Sequence, residues 1–514
     1  MKSAVSFSDS KTVTPHALLD GGNLDCGSGL LLLIRKQIDP LERGQILEIH
    51  STEPSVEEDL PAWCRMTGND LVAASRHGRQ LTFQVSKGPR LLFFDRLEGR
   101  PAGNRPSVAA VTPRREVEPA RLPAPTAVPA IRPLSVMGIG SWPRPRWMIQ
   151  AMHEHLEGRL EEGAFQETAN DAVGLAVQSQ LQAGVDVVTD GEQRRDSYAS
   201  FVGNRLDNCQ PIPLTDLMPY VDDPKKFADE LRALDVPADQ IRHPAVLGRI
   251  ARSRPLALHE LRFVQTLTTQ PVKIALPGPY LLTRTMWLEC ISDRAYETRE
   301  GLADDIVRVL REELFALLAA GAALVQFDEP VLSEVVFGQP ANNRTFMCGA
   351  LGDKRPIQEE LTFAADLLSR VTEGVDPGRT ALHICRGNWT RDETVALRGS
   401  YEPLVPLLKS ISVGTVFLEC CTPRAGAIDV LANLPESLRI GIGVVNQKLD
   451  AIESVDQIVR QAESAIDLFG PHRVLLNPDC GFATFADNPV ASAEIAAAKL
   501  SAIAKAASLL KRRY

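Results

Sequence analysis

Between residues 134 and 481 the chain alternates, eight times over, between a short apolar run and a longer connecting stretch. The runs are LSVMGIGS (134–141), VDVVTDGE (185–192), VKIALPGP (272–279), ALVQFDEP (323–330), TALHICRG (380–387), TVFLECC (415–421), RIGIGVVN (439–446) and RVLLNPDCG (473–481). Continuous apolar character, rather than strict alternation, suits parallel strands covered on both faces. Between the runs lie helical patterns. In one, Leu302, Ile306, Val309, Leu310, Leu314 and Leu317 recur at spacings of three and four. Eight strand–helix units in roughly 380 residues predict an α/β fold, a (β/α)8 TIM barrel with insertions. An open, doubly wound sheet of eight strands is the alternative this pattern leaves standing.

A barrel also predicts where chemistry sits, because its catalytic groups gather at the C-terminal ends of the strands. Read in order, those ends carry Ser141, Glu192, the Pro277-Gly278-Pro279 turn, Asp328 and Glu329, His383 and Cys385, Glu419, Asn446, and Asp479 with Cys480. His383 and Cys385 are two apart in a strand, so both side chains point to one face. Glu419 ends the next strand and Cys480 the last, and all strand tops ring one mouth. Four such N, S and O donors suit Zn2+. The same residues also have a plain reading. A buried cysteine packs as a small hydrophobe, a strand-end glutamate can be solvated, and Cys420 and Cys421 sit beside Glu419 without entering this set.

Composition narrows the partners. The 514 residues carry Lys+Arg 56 against Asp+Glu 65, a net charge of −9, which argues against nucleic acid. No apolar stretch reaches the length of a membrane span. The N-terminal MKSAVSFSDSKTVTPH lacks the apolar core of a secretory signal, so a cytoplasmic protein is expected. Nine cysteines in so long a chain read as thiols or metal ligands rather than a disulfide framework. Residues 98–133 are rich in Pro, Arg and Ala without periodicity and read as a linker between residues 1–97 and 134–514.

The segments HIC (383–385), FLE (417–419) and NPDCGF (477–482) resemble, in order, the zinc-binding segments of cobalamin-independent methionine synthase. GIGSWPRP (138–145), TDGEQRR (189–195) and QFDEPVL (326–332) extend the likeness over most of residues 134–490. The resemblance implies Zn2+ held by His383, Cys385, Glu419 and Cys480, with Glu419 the labile ligand that the substrate sulfur displaces. It further implies that Ile139, Gly140 and Ser141 hold the homocysteine carboxylate and that Glu192 and Asp328 hold its amino group. Two carboxylates facing a desolvated ammonium make physical sense. Pairing with arginines such as Arg194 or Arg195 is the plain alternative. PGPYLLTRTMW (277–287) takes the place of the family's folate-side loop, with Trp287 as the stacking residue.

The chemistry explains the ligand set. A reference thiol has a pKa of about 8.5, so it is mostly protonated at neutral pH, whereas the thiolate is the nucleophile. Zinc lowers that pKa, and two thiolates with one carboxylate and one imidazole leave a site charge of about −1. One departure stands out. Where the family has an Asp-x-His pair after the seventh strand, GVVNQKLDAIES (443–454) puts Asn446 and Lys448. A buried lysine can serve as the acid instead. The chain also resembles the shorter, single-barrel branch of the family.

Residues 22–88 read as a separate small domain. ILEIHST (46–52) and LTFQVSKG (81–88) are strands, with a helical segment after Pro54. The LD at 24–25, the helix ending in Arg35-Lys36, GQILEI, and the cysteine of DLPAWCRMTG resemble the TusA-type sulfur-relay family, an α/β sandwich of βαβαββ order. That family carries persulfide on the cysteine of a Cys-Pro motif, which is absent here, and Cys26 is the nearest substitute. A cysteine at a helix start can be reactive; an inert Cys26 in a binding or regulatory domain is the equal alternative, and Cys64 beside Trp63 reads as packing.

Together these features predict an enzyme transferring a methyl group to a small thiol such as homocysteine. The donor is 5-methyltetrahydropteroylglutamate, another small molecule, or a methyl-donor protein. Alkylation of another thiol, in the manner of epoxyalkane–coenzyme M transferases, is one alternative. Sulfur transfer from the N-terminal domain or a sulfur-donor protein to the zinc site is another.

Overall fold

A computed structural model describes residues 14–88, 122–213, 242–287, 295–337, 355–388, 391–487 and 489–514. The chain divides into two compact units, residues 1–120 and 121–514. Residues 98–121 of the expected linker lie outside the described residues. Residues 122–133 form neither helix nor strand and belong to the second unit. There Thr126 N–H donates to Leu318 O at 3.1 Å, Arg439 donates to Ile131 O at 2.9 Å, and Ile131 is buried. No helix among the described residues is long and apolar enough to cross a membrane.

The first unit runs β1 (Ala17–Asp20), α1 (Leu31–Ile38), β2 (Ile46–Ser51), α2 (Val56–Thr67), β3 (Asp70–His77) and β4 (Gln80–Ser86). The sheet order is β1-β2-β4-β3, with β1 parallel to β2 and the other pairs antiparallel. The expected βαβαββ order therefore holds, and β1 extends the small domain upstream of residue 22. Leu30 and Ile34 pack with Leu47, Ile49, Phe83 and Val85 between helices and sheet. Gly68, left-handed at φ 70°, ends α2 and turns the chain into β3.

In the second unit six parallel strands lie side by side in sequence order: β7 (Lys273–Pro277), β8 (Leu324–Asp328), β9 (Thr380–Ile384), β10 (Thr415–Leu418), β11 (Arg439–Gly443) and β12 (Val474–Asn477). The first two apolar runs close the ring through single parallel bridges. Val136 pairs with Leu476, Met137 with Val187, and Val188 with Val272. The eight runs thus form one closed barrel, and the open-sheet alternative falls away.

Around it lie α3 (Arg146–Leu156), α4 (Glu162–Ala183), α5 (Leu258–Leu267), α6 (Pro279–Met286), α7 (Arg299–Ala319), α8 (Val331–Phe337), α9 (Ile357–Thr372), α10 (Val405–Ser410), α11 (Val455–Phe469) and α12 (Ala493–Arg513). The periodic stripe from Leu302 to Leu317 is the buried face of α7. A capping box, Ser454 with Gln457, starts α11. Among the described residues after the second barrel strand, β5 (Leu206–Pro213) and β6 (Arg242–Arg252) pair antiparallel outside the barrel sheet. The prolines of this pair obscure it in the sequence.

Period two sorts the strand residues into the barrel. Met137, Ile139, Val187, Leu324, Ala381, Phe417 and Leu475 meet as an apolar floor. Gln326 and Asp328, His383 and Cys385, and Glu419 stand above that floor in the same phase. The seventh strand has glycine at 441 and 443 because a Cβ there would collide with the Phe417 ring and the Asp479 carboxylate.

Candidate metal and substrate site

Above the apolar floor a pocket fronts about 440 Å3 of free space. It is lined by Ile139, Ser141, Glu192, Asp328, His383, Cys385 and Cys480, and also by Tyr198, Asn388 and Thr484. The last three were missed in the sequence because they sit on loops beyond the apolar runs, where nothing in the pattern marks their direction.

The ligand atoms of His383, Cys385 and Cys480 all lie within 4.8 Å of one another, and all three residues are buried. The His383 Nε2 is buried without a hydrogen-bond partner. Its Nδ1 is 2.8 Å from Asp328 Oδ1. Because a carboxylate can only accept, Nδ1 carries the proton and Nε2 presents its lone pair toward the sulfurs. Cys385 is drawn below the usual thiol range by a hydrogen bond with Cys480 and by His383, while Cys480 is pushed above it, by the Cys385 bond first and then by burial. Two buried sulfurs within reach of each other, beside a bare imidazole nitrogen, are a donor set that fits Zn2+.

Glu419 stands outside that group. Its Oε1 accepts from the Arg386 backbone N–H at 2.7 Å and from the Asn388 amide, and its Oε2 is 3.0 Å from Arg424. Burial, then Asp479 and Cys385, pushes its carboxyl well above the ordinary range. Arg424, on the turn after Cys421, also pairs with Glu393, which in turn accepts from the Asn446 amide at 2.6 Å. Lys448 donates from its backbone N–H to Asn446 Oδ1 at 3.0 Å and from Nζ to Asp392 O at 3.3 Å. Its ammonium is lowered to about 8 by burial and then by Arg424, against the upward pull of Glu419, Cys480 and Cys385. Lys448 therefore shares the field of the sulfur cluster.

Glu192 and Asp328 both reach the pocket. The suspected arginine partners are engaged elsewhere. Arg195 is paired with Glu260 at 2.5 Å, and Arg194 donates to Gln166 and Asn170. Burial, helped by Asp328 and Asp190, lifts the Glu192 carboxyl to about 7, although Arg195 and Arg144 pull it down. Glu192 has a left-handed backbone, φ 54°, uncommon for a residue with a Cβ and stored here where its carboxylate must turn into the mouth. Gly140 is tied to it, since a Cβ there would strike the Glu192 carboxylate. Ser141 Oγ accepts from Ala483 N–H at 3.3 Å, which fastens the first strand end to the eighth.

Several strand-end groups have structural duties. Glu329 caps α6, accepting from the N–H groups of Tyr280 and Leu281 at 2.8 Å. Asp479 accepts from the N–H groups of Cys420 and Cys421 at 2.9 Å. Trp287 is buried at the end of α6 and is not among the residues lining this pocket. Cys26 lies in the core of the small unit with Cys64 and Trp63. Burial, then Asp59 and Asp25, pushes its thiol up to about 12. That burial favours the neutral thiol and supports the inert reading of Cys26 over the reactive one.

Fold and site together define a (β/α)8-barrel enzyme whose mouth joins a sulfur-rich, metal-capable cluster to a pair of acids. Comparison with known families makes this specific. The family model described as "Cobalamin-independent synthase, Catalytic domain" matches residues 134–218 and 234–507, and the chain belongs to that family of methyltransferases. A second model, "Sulfurtransferase TusA", matches residues 28–87. The chain is 26% identical over 344 residues to the methionine synthase of Sulfolobus acidocaldarius, covering 67% of this chain and 84% of that one. It is 25% identical to the methionine synthase of Saccharolobus solfataricus, covering 67% and 86%. The fold is similar to the B12-independent methionine synthase of Shewanella sp. W3-18-1 in complex with selenomethionine, with TM-score 0.56, 23% identity, and 74% and 98% coverage.

Proposed function

We propose that this protein is a zinc-dependent methyltransferase that methylates the sulfur of homocysteine to give methionine. The observation that carries the reading is the convergence of His383, Cys385 and Cys480 on one point beside the acids Glu192 and Asp328. Zn2+ bound there would supply the Lewis acidity that keeps a substrate thiol deprotonated at neutral pH. Three protein ligands leave a position for the substrate sulfur, the arrangement of a catalytic rather than a structural zinc. Glu419, held here by Arg386, Asn388 and Arg424, is the nearby carboxylate that would be available to that position in the absence of substrate.

The remaining residues bind and steer. Glu192 and Asp328 accept from the substrate ammonium, and the Ile139-Gly140-Ser141 segment holds its carboxylate. That pairing selects an amino-acid thiol over a sulfonate thiol, which would want basic groups in place of the acids. Lys448 is the proton donor to the leaving group. The donor is a methylated pterin such as 5-methyltetrahydropteroylglutamate, with Trp287 on its side of the site. Transfer of sulfur from Cys26 is disfavoured by the burial of that thiol.

The test is zinc content together with methionine formation from homocysteine and 5-methyltetrahydropteroylglutamate, for wild type and Cys480→Ser. One zinc per chain and methionine formation, both lost in the variant, is expected. Absence of zinc from the wild type would overturn the reading. Zinc without methionine would move the search to other thiols and donors.

A further inference from the structure

A lysine lies inside the barrel wall, below the pocket, with no part in the reaction as described. Lys273 is wholly buried on the third strand. Its Nζ donates to Gln326 Oε1 at 2.6 Å. Gln326 Nε2 donates to Asp328 Oδ1 at 2.7 Å. Asp328 Oδ1 in turn accepts from His383 Nδ1 at 2.8 Å. The four residues form one unbroken buried chain that ends on the imidazole of the metal-capable cluster.

We infer that Lys273, through Gln326 and Asp328, is a positioning residue that fixes the orientation and tautomer of His383 for metal binding. The inference rests on the zinc reading of the site.

The direction of the chain is what matters. An ammonium has donors and no acceptor. It therefore dictates which end of the Gln326 amide faces it, and the oxygen must turn toward Lys273. The amide N–H groups are then left to face Asp328, which stays an acceptor. His383 Nδ1 must carry the proton, and Nε2 is left bare. Without the lysine, the Gln326 oxygen loses its buried donor, and the Asp328 carboxylate alone is left to hold the amide in place.

Two features hold the proton on Lys273. Its Nζ lies over the face of Phe417, 4.4 Å from the ring centroid, where a cation is favoured. Against the lowering that burial imposes, the negative charges of Asp328 and Glu192 favour the ammonium as well. The lysine thus also supplies a positive charge beneath the two acids of the pocket.

The experiment measures Zn2+ affinity of the full-length protein by competition with a chromophoric chelator, with a thermal melt for each variant. Lys273→Met is expected to weaken Zn2+ binding about tenfold, within the range seen when groups behind a metal ligand are removed. The double variant Lys273→Met/Gln326→Met replaces both polar partners by apolar side chains of similar length, a change a packed interior tolerates. It should melt near the wild type and still bind Zn2+ about tenfold more weakly. If the single variant does not fold, the double variant decides. Folded variants that bind Zn2+ within twofold of wild type would overturn the inference and leave Lys273 a core residue. A wild type that binds no Zn2+ would instead remove the zinc reading, and the inference with it.

Discussion

Asp328 and His383 are register partners on adjacent parallel strands, and their side chains meet, Oδ1 to Nδ1, at 2.8 Å. The acid that the family resemblance assigns to the substrate ammonium therefore also braces His383, the imidazole that would ligate zinc in the proposed site. Asp328→Asn is expected to lose on both counts: Zn2+ affinity about ten- to a hundredfold lower, and a higher KM for homocysteine at saturating zinc. Chelator competition and steady-state kinetics separate the two effects.

Glu192 should show a conflict between stability and binding. Its carboxyl is raised from the ordinary 4.5 to about 7 in the folded protein, chiefly by burial. The folded state holds this proton more tightly than the unfolded state. Stability contributed by Glu192 is therefore lost as pH rises from about 4.5 to about 7, on the order of 3 kcal/mol. Glu192→Gln should melt at a higher temperature than wild type at pH 8 and raise KM for homocysteine severalfold. Melting curves at pH 5 and pH 8 check the sign, since the gain should shrink at the lower pH.

Lys448 gives a pH limb. Lowered to about 8, it carries its proton below that pH and loses it above. As proton donor, it should make kcat fall as pH rises through about 8. Lys448→Met should lower kcat and remove that limb. A profile unchanged in shape would assign the proton to another group.

The barrel and its polar mouth were legible in the sequence because strand length, apolar character and period two are local properties. They fixed the side to which His383 and Cys385 point, and the floor formed by Leu324, Ala381 and Phe417 follows the same rule. The strand-end rule likewise put Glu192 and Cys480 at the mouth, and both line the same pocket. What stayed hidden depends on turns and distant pairing. Arg424, five residues after Glu419, pairs with it through a turn whose direction no apolar pattern marks, and Glu393 links Arg424 to Asn446 across separations of 31 and 53 residues. Cys26 could not be read either way from its sequence position for a related reason. A cysteine near a helix start looks activated until Asp25, Asp59 and the surrounding core are placed around it.

Cys26→Ser should accordingly leave methyl transfer unchanged. In the native protein at pH 8, Cys26 should react with iodoacetamide no faster than in proportion to global unfolding, read by mass spectrometry of the labelled peptide. Rapid labelling before unfolding would restore a carrier role for this thiol.

The ring of strands is not equally strong all round. Six neighbours share ladders of four or five register pairs, whereas each seam of the first two runs has a single register pair, at Val136, Met137 and Val188, with two or three backbone hydrogen bonds. Beyond those bridges the same two runs carry Ile139, Ser141 and Glu192 to the pocket. The thinnest part of the wall thus lies directly under the residues that would grip the charged end of an amino acid. A bound amino acid, touching Ser141 on one run, Glu192 on the next and Asp328 beyond, would act as a clasp across that seam. Occupancy of the pocket would then be legible far from the sulfur atoms, as slower amide exchange at residues 136–137 and 187–188.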